Sequence, residues 1–250
     1  MNYRIIGFVI GRILLVEAAL LLLPMAVGLG YGESPVPFLI PMALLAVIGG
    51  LLSFRKPAHS ALYARDGLAV VALAWIFMSI FGGLPFYISG DIPRFVDCIF
   101  ETVSGFTTTG ATILTEVEPL TRGGLFWRSF THWVGGMGVL VFVMAILPMS
   151  DGHGMHIMRA EVPGPTVGKL VSRMSDTAKI LYGIYLALTL VEIVLLLAGG
   201  MPLFDACIHS FGSAGTGGFS CRNLSVGAYQ NPYFDIVIGI FMLLFGVNFN

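Results

Sequence analysis

The sequence has 250 residues, of which 56% are hydrophobic and only 11% are charged. With a mean hydropathy of +0.89 it lies outside the range of soluble globular domains, which indicates an integral membrane protein. The formal net charge of -1 gives no reason to expect nucleic acid as a partner. The three cysteines, Cys98, Cys207 and Cys221, form neither a disulfide framework nor a CxxC metal motif, and we interpret them as free thiols.

Two membrane-spanning helices are predicted at the start of the chain, in residues 1–60. The first, Ile5 to Leu29, has the basic start of a signal peptide but no small-residue cleavage site, and it exceeds the ~20 residues that a span needs. It carries Arg12 and Glu17. An ionisable residue inside a span indicates function by default, but Arg12 can reach the basic end of the helix, and we favour a structural role for both. The second helix is predicted from about Val36 to Phe54.

The third apolar segment, Leu68 to Ile88, is followed by the stretch Phe95 to Thr112, which is too short to span a bilayer. We predict a short amphipathic helix that enters the membrane and then an extended polar loop. Irregular backbone at membrane depth is tolerated only where protein buries it or where it lines a wet cavity. A row of carbonyl oxygens that replaces the hydration shell of an ion is how a cation filter is built. The candidate filter residues in this loop are Thr107, Thr108, Thr109 and Gly110.

The same pattern returns 108 residues later, in the stretch Phe204 to Ser220. Without a gap, this offset places Asp97 on Asp205, Thr102 on Ser210, Thr108 on Thr216, Gly110 on Gly218 and Thr112 on Ser220. The second set of candidate filter residues is Gly215, Thr216, Gly217 and Gly218. No lysine follows these glycines, which excludes a phosphate-binding P-loop. A repeat of this length indicates a whole membrane module that is used at least twice.

The remaining segments complete the two modules. A fourth span is predicted from Leu125 to Leu147, and its Gly135, Gly136 and Gly138 favour close packing of neighbouring backbones over a gating hinge. Residues 61–150 thus form a first module of helix, re-entrant pore loop and helix, and residues 151–173 form a polar connection. The second module, residues 174–250, begins with a span from Ile180 to Ala198 that contains Glu192. Its last apolar stretch, Ile236 to Asn250, has about 15 residues, so we expect the chain to end inside an incomplete helix.

Charge predicts the orientation of these segments. Lysine and arginine gather at Arg4, in residues 55–65 and in residues 159–179, which marks one side as cytoplasmic. The other side receives Glu33, Asp91, Glu116 and Glu118. Both modules therefore enter the membrane in the same direction, as a parallel repeat about an axis along the membrane normal, where a pore is the simplest arrangement. The C-terminal end of each pore helix then points into the membrane and favours a cation there.

Other polar residues are assigned simpler roles. Asp97 and Asp205 recur at the starts of the two pore helices, where we expect each carboxylate to cap free backbone N–H groups and, second, to attract cations. Four of the five histidines have no metal-ligand spacing among themselves. They are His132, His153, His156 and His209.

The motifs ETVSGFTTTGAT, Glu101 to Thr112, and HSFGSAGTGGFS, His209 to Ser220, resemble those of Trk-type potassium transporter membrane subunits, the TrkH, TrkG and KtrB superfamily. The two preliminary helices and the GGMG motif of the fourth span match as well, and the resemblance covers the N-terminal half of such a subunit. It implies an all-α, polytopic, K⁺-channel-like protein of the bacterial cytoplasmic membrane, with one filter glycine in each of four modules, here Gly110 and Gly218. Modules three and four, with the gating loop and a positive residue near the pore, have no counterpart here.

The resemblance further implies K⁺ uptake gated by a cytosolic nucleotide-binding regulatory subunit, a homodimer surrounded by membrane lipid, no cofactor and no enzymatic activity. Two alternatives remain open. The first is a symporter that couples K⁺ to H⁺ or Na⁺, with Glu17 or Glu192 as the coupling carboxylate. The second is a truncated, non-conducting subunit that assembles with full-length partners.

Overall fold

The computed structural model describes residues 3–54, 64–138 and 174–247. Within these ranges the chain is helical, with no β-strand. The α-helices are α1 Tyr3–Leu20, α2 Leu22–Gly30, α3 Val36–Ser53, α4 Ala64–Gly82, α5 Leu84–Ser89, α6 Phe95–Phe106, α7 Arg122–Gly136, α8 Met174–Ala198, α9 Leu203–Ala214 and α10 Pro232–Gly246. A short 3₁₀ helix, Ser225–Tyr229, precedes α10.

Among the described residues, four helical segments are long and apolar enough to cross a membrane. They are Tyr3–Gly30, formed by α1 and α2, Val36–Ser53, Arg65–Ser89, formed by α4 and α5, and Lys179–Ala198. These segments confirm the predicted first, second, third and fifth spans. The chain is therefore a polytopic, all-α membrane protein.

Two shorter helices, α6 and α9, have 12 residues each and cannot span a bilayer. Each one follows a predicted span, and each is followed by a non-helical segment and then by another helix, α7 or α10. α7 packs against α6 and against α9, while α8 and α10 also pack against α9. This order confirms the predicted arrangement of helix, re-entrant loop and helix in two copies.

An aromatic cluster joins the two modules. Phe130 of α7 stacks on Phe126 and Trp133, with ring centres 5.7 and 5.5 Å apart, and Phe211 of α9 meets Phe130 edge-on at 5.5 Å. Aromatic pairs at these separations stabilise packing beyond the area that they bury. The cluster fixes α9 of the second module on α7 of the first.

Carboxylates from two distant loops cap the start of α7. Glu33 accepts hydrogen bonds from the backbone N–H groups of Arg122 at 2.6 Å and Gly123 at 2.9 Å. Asp91 accepts from the N–H of Thr121 at 3.1 Å and from its hydroxyl at 2.7 Å. The first turn of a helix has no internal acceptors for its N–H groups, and the helix dipole favours negative charge there.

The structure corrects the predicted fourth span. α7 ends at Gly136 and Gly138 adopts φ +75°, so an uninterrupted helix from Leu125 to Leu147 is wrong. The close packing is confirmed for Gly135 and Gly136, since a Cβ atom on Gly135 would overlap the Phe106 carbonyl and one on Gly136 would lie 2.9 Å from Gly215 Cα. Residues 139–147 and the polar connection, Met149 to Arg173, lie outside the described residues. The last helix, predicted from Ile236 to Asn250, instead begins at Pro232 and ends at Gly246, with extended backbone at Val247.

Candidate ion-conduction site

Two non-helical segments follow the short helices: the first loop segment, Thr107 to Thr112, and the second loop segment, Gly215 to Ser220. In both, the second and the fourth residue have a positive φ and lie in the left-handed region. Thr108 has φ +54° and Gly110 φ +74°, and their counterparts Thr216 and Gly218 have φ +53° and +83°. Successive N–H groups in such a conformation converge on one side of the segment.

The backbone hydrogen bonds of the two segments also correspond. Thr108 N–H donates to the Gly105 carbonyl at 3.0 Å, and Thr216 N–H donates to the Ser213 carbonyl at 2.8 Å. In the same way, the N–H groups of Thr109 and Gly217 each donate to a carbonyl near the end of the preceding helix, at 3.0 Å. The N–H groups therefore face the short helix in both copies. The carbonyls of residues 107–110 and 215–218 accept no hydrogen bond within the described part of the chain.

The two segments lie beside each other. A Cβ atom on Gly110 would overlap the carbonyl of Gly217, so this close approach requires glycine. Thr107, Thr109, Thr216 and Gly218 are exposed on the open side of the segments. Two hydroxyls of the first segment already have hydrogen-bond partners. The Thr107 hydroxyl donates to the Val103 carbonyl at 2.7 Å and lies 2.8 Å from the Thr109 hydroxyl.

A buried ion pair lies behind the first segment. Arg128 Nε of α7 donates to Glu101 Oε1 of α6 at 2.6 Å, and the two side chains are 3% and 0% exposed. The same Glu101 carboxylate accepts hydrogen bonds from the Thr112 hydroxyl at 2.8 Å and from Ile113 N–H at 3.1 Å. The pair therefore connects α7, α6 and the far end of the first loop segment.

Phe219 of the second loop segment lies between two side chains of α7. The Arg128 guanidinium carbon is 3.5 Å from the centre of the Phe219 ring, and the His132 ring stacks on the same ring with centres 3.9 Å apart. Gly217 also lies against His132, because a Cβ atom there would be 2.5 Å from His132 Nε2. α7 thus supports the second segment as well as the first.

The expected capping by the two repeated aspartates is wrong. Asp97 instead pairs with the exposed guanidinium of Arg94 at 2.7 Å. Asp205 accepts hydrogen bonds from Arg222 at 3.1 Å and from the Tyr229 hydroxyl at 2.6 Å. The hydrogen bonds to Tyr229 and Asp205 raise the pKa of Arg222, so this side chain stays positively charged. Asp205 therefore holds the segment of Arg222 and Tyr229 against α9, whereas Asp97 makes only an exposed contact within its own turn.

Two further carboxylates are buried among the spans. Glu17 of α1 packs against Gly82, where a Cβ atom would lie 3.2 Å from Glu17 Oε1. Neither Glu17 oxygen has a hydrogen-bond partner among the described residues. Glu192 of α8 is also buried and lies beside Ser213 of α9. Each of these glutamates therefore stands behind one of the two short helices rather than beside the loop segments.

From the sequence, the eight residues of the two loop segments were proposed as the candidate site. Glu101, Arg128 and His132 were not proposed as part of it. A signal for the first two was present, since an ionisable residue inside an apolar segment indicates function. The pairing itself had no local signal, because the partners are 27 residues apart in different helices.

In the part of the chain that the structure describes, four membrane-spanning segments and two re-entrant loops with one repeated backbone conformation define a multi-pass membrane protein built from pore-loop modules. A family model described as "TrkH: Cation transport protein" matches residues 36–250. The chain belongs to this TrkH family of cation transport proteins.

Relatives of known name agree with this membership. The chain is 37% identical over 254 residues to "Trk system potassium uptake protein TrkH" of Vibrio parahaemolyticus, covering 100% of this chain and 52% of the relative. It is 35% identical over 252 residues to "Trk system potassium uptake protein TrkG" of Escherichia coli, covering 99% and 52%. The crystal structure of the potassium transporter TrkH from Vibrio parahaemolyticus matches with a TM-score of 0.83 at 34% identity, over 100% of this chain and 51% of that one.

The chain therefore spans about half the length of the curated relatives that it matches. Its spans and its relatives identify it as a multi-pass protein of the bacterial inner membrane.

Proposed function

We propose that the protein to which this chain belongs takes up K⁺ across the cytoplasmic membrane, down its electrochemical gradient, through a filter of backbone carbonyls. In this chain the filter consists of Thr107, Thr108, Thr109, Gly110, Gly215, Thr216, Gly217 and Gly218. The observation that carries the proposal is the repeated alternation of φ in the two loop segments. It leaves two rows of carbonyls without hydrogen bonds, which can replace the hydration shell of a cation.

The strained threonines support the same function. Left-handed backbone is rare for a β-branched residue, yet Thr108 and Thr216 both adopt it. Such strain costs about 1–3 kcal/mol at each position and persists where the surroundings impose it, most often at functional sites. Its occurrence at two equivalent positions argues for a shared requirement on carbonyl direction.

The choice of K⁺ as substrate rests on the relatives, whose names describe potassium uptake proteins. Gating by a cytosolic nucleotide-binding regulatory subunit and assembly as a homodimer rest on the family resemblance. Both belong to the proposal for the complete protein.

A second candidate is symport of K⁺ with H⁺. The observation in its favour is Glu17, which is buried in a predicted span with neither oxygen hydrogen-bonded among the described residues. Ionisable groups in such positions mark proton relays in pumps and transporters.

Radioactive rubidium uptake by cells that lack other K⁺ uptake systems tests both functions, with the protein expressed from its complete gene. We expect uptake that excess K⁺ abolishes and excess Na⁺ leaves unchanged, and that continues when a protonophore removes the pH gradient while a K⁺ gradient sustains the driving force. Equal competition by Na⁺ contradicts the K⁺ filter. Loss of uptake with the pH gradient, and its retention in Glu17→Ala without that gradient, favours symport.

A further inference from the structure

We propose that the buried ion pair of Glu101 and Arg128 is a positioning unit that holds the two loop segments in register and thereby sets the ion preference of the filter. The inference rests on the proposed function of the loop segments. Neither residue belongs to the carbonyl rows themselves, so both act through the backbone that they hold.

On the side of the first loop segment, the Glu101 carboxylate has all its hydrogen bonds directed to fixed partners. One oxygen accepts from Arg128 at 2.6 Å and from the Thr112 hydroxyl at 2.8 Å. The other accepts from the backbone N–H of Ile113 at 3.1 Å. These bonds fix the chain two and three residues beyond Gly110, where the segment leaves the carbonyl row.

On the side of the second loop segment, Arg128 performs the corresponding task. Its Nη1 donates to the Ser220 carbonyl at 3.1 Å, and its guanidinium lies over the Phe219 ring. Phe219 and Ser220 directly follow Gly218. A planar guanidinium is suited to this combination, because it donates in two directions and stacks on an aromatic face at the same time.

Among its described residues, the second module has no ion pair of its own at this place. The 108-residue offset puts His209 at the position of Glu101 and Ser220 at the position of Thr112. His209 Nε2 is 3.5 Å from the Ser220 hydroxyl, which is a weak contact compared with the bonds of Glu101. α10, which takes the place of α7 in this module, contains no lysine or arginine. Arg128 of the first module therefore supplies the anchor that the second loop segment lacks.

Energetics favour positioning over stability as the role of the pair. Burying two charges costs desolvation energy that their attraction offsets only with complete hydrogen bonding, so a buried ion pair adds little net stability. The pair instead fixes the positions of the groups around it, because each of its donors and acceptors bonds one defined partner. Removing only the carboxylate would release the end of the first segment and leave an unpaired positive charge behind a cation site.

Three variants of the complete gene product test the proposal: Glu101→Gln, Arg128→Lys and, as matched control, Arg94→Gln. Glu101→Gln keeps the size of the side chain and removes its charge. Arg128→Lys keeps the charge next to Glu101 but cannot also bond Ser220 and stack on Phe219. Arg94→Gln breaks an exposed ion pair of the same helix. Membrane abundance, rubidium uptake and sodium uptake are measured for each.

We expect the rubidium-over-sodium preference of Arg128→Lys and Glu101→Gln to fall about tenfold at matched abundance, the change that one lost charge-assisted hydrogen bond produces, while Arg94→Gln keeps the original preference. An unchanged preference in Arg128→Lys overturns the proposal. So does loss of membrane insertion in both variants, which would assign the pair a structural role alone. Serine variants of Gly110 and Gly218 distinguish failure of this inference from failure of the proposed filter. If these variants also keep the rubidium-over-sodium preference, the filter itself is refuted.

Discussion

At the scale of single residues, the left-handed positions determine which substitutions the loop segments tolerate. Gly110 and Gly218 both have positive φ, but their surroundings differ. A Cβ atom on Gly110 would overlap the Gly217 carbonyl, whereas one on Gly218 would meet nothing within 4 Å. Two equivalent glycines in the sequence are therefore not equivalent in space.

We predict that Gly110→Ser and Gly218→Ser both reduce the preference for rubidium over sodium, and that Gly110→Ser does so more severely. Left-handed backbone costs a residue with a Cβ about 1–2 kcal/mol, and in Gly110→Ser the steric overlap adds to this cost. Uptake of the two ions at matched membrane abundance measures the effect.

Gly227→Ser is the control for this pair, because Gly227 is exposed, has no positive φ and has open space around it. It should leave the preference unchanged. If Gly110→Ser and Gly218→Ser both keep the wild-type preference for rubidium over sodium, these glycines do not belong to a filter.

At the scale of elements, the start of α7 depends on contacts that reach across the chain. Glu33 and Asp91 satisfy its first backbone N–H groups from loops that precede α3 and α6. α7 in turn carries Arg128, His132 and the aromatic residues that contact α9. Loss of the capping hydrogen bonds at the start of α7 would therefore affect both loop segments, since both contact this helix.

We predict that Glu33→Ala destabilises the protein by about 1–2 kcal/mol, the usual cost of losing a helix cap. The apparent melting temperature of the detergent-purified protein should fall by about 2–4 °C for each kcal/mol. Glu116→Ala is the matched control, since Glu116 is an exposed carboxylate on a nearby loop. Equal melting temperatures of the two variants would show that the cap contributes nothing measurable.

At the scale of the whole molecule, the two modules form one unit through the aromatic cluster and the ion pair behind the loop segments. Both features place the segments next to each other. Their orientation in the membrane follows from the distribution of lysine and arginine, which the positive-inside rule assigns to the cytoplasm.

This orientation predicts the labelling of single cysteines. In a background where Cys98, Cys207 and Cys221 are replaced by alanine, Glu118→Cys should react with an impermeant thiol reagent added outside intact cells. Arg4→Cys should react only after the membrane is permeabilised. The reverse pattern would overturn both the topology and the parallel orientation of the modules.

We also predict that these 250 residues, expressed alone, do not conduct K⁺ as a monomer. Two loop segments supply at most two sides of a ring of carbonyls, and a dehydrated ion needs oxygens around it. The open sides would expose polar backbone to lipid, at a cost on the order of several kcal/mol for each unsatisfied group. Potassium flux into liposomes, measured against protein density, tests this. Selective flux from particles shown to be monomeric would refute it.

The amino-acid sequence by itself determined the class of protein, four of the five predicted spans and the repeated loop segments, because hydropathy, segment length and a gapless repeat are local properties. It even located Gly110 and Gly218 at equivalent positions. It failed for Asp97 and Asp205, where capping was expected, since a carboxylate at a helix start has several possible partners and only the fold brings Arg222 and Tyr229 to Asp205.

Only the tertiary structure decided how the two segments are held. Glu101, Arg128 and Ser220 lie on separate elements, and nothing in their local sequence selects one partner over another. The end of α7 at Gly136 was likewise undecided by the sequence, because an apolar run continues beyond it. The physical reason is common to all of these cases: burial forces each polar group to find a partner, but which partner it finds depends on which elements the fold brings together.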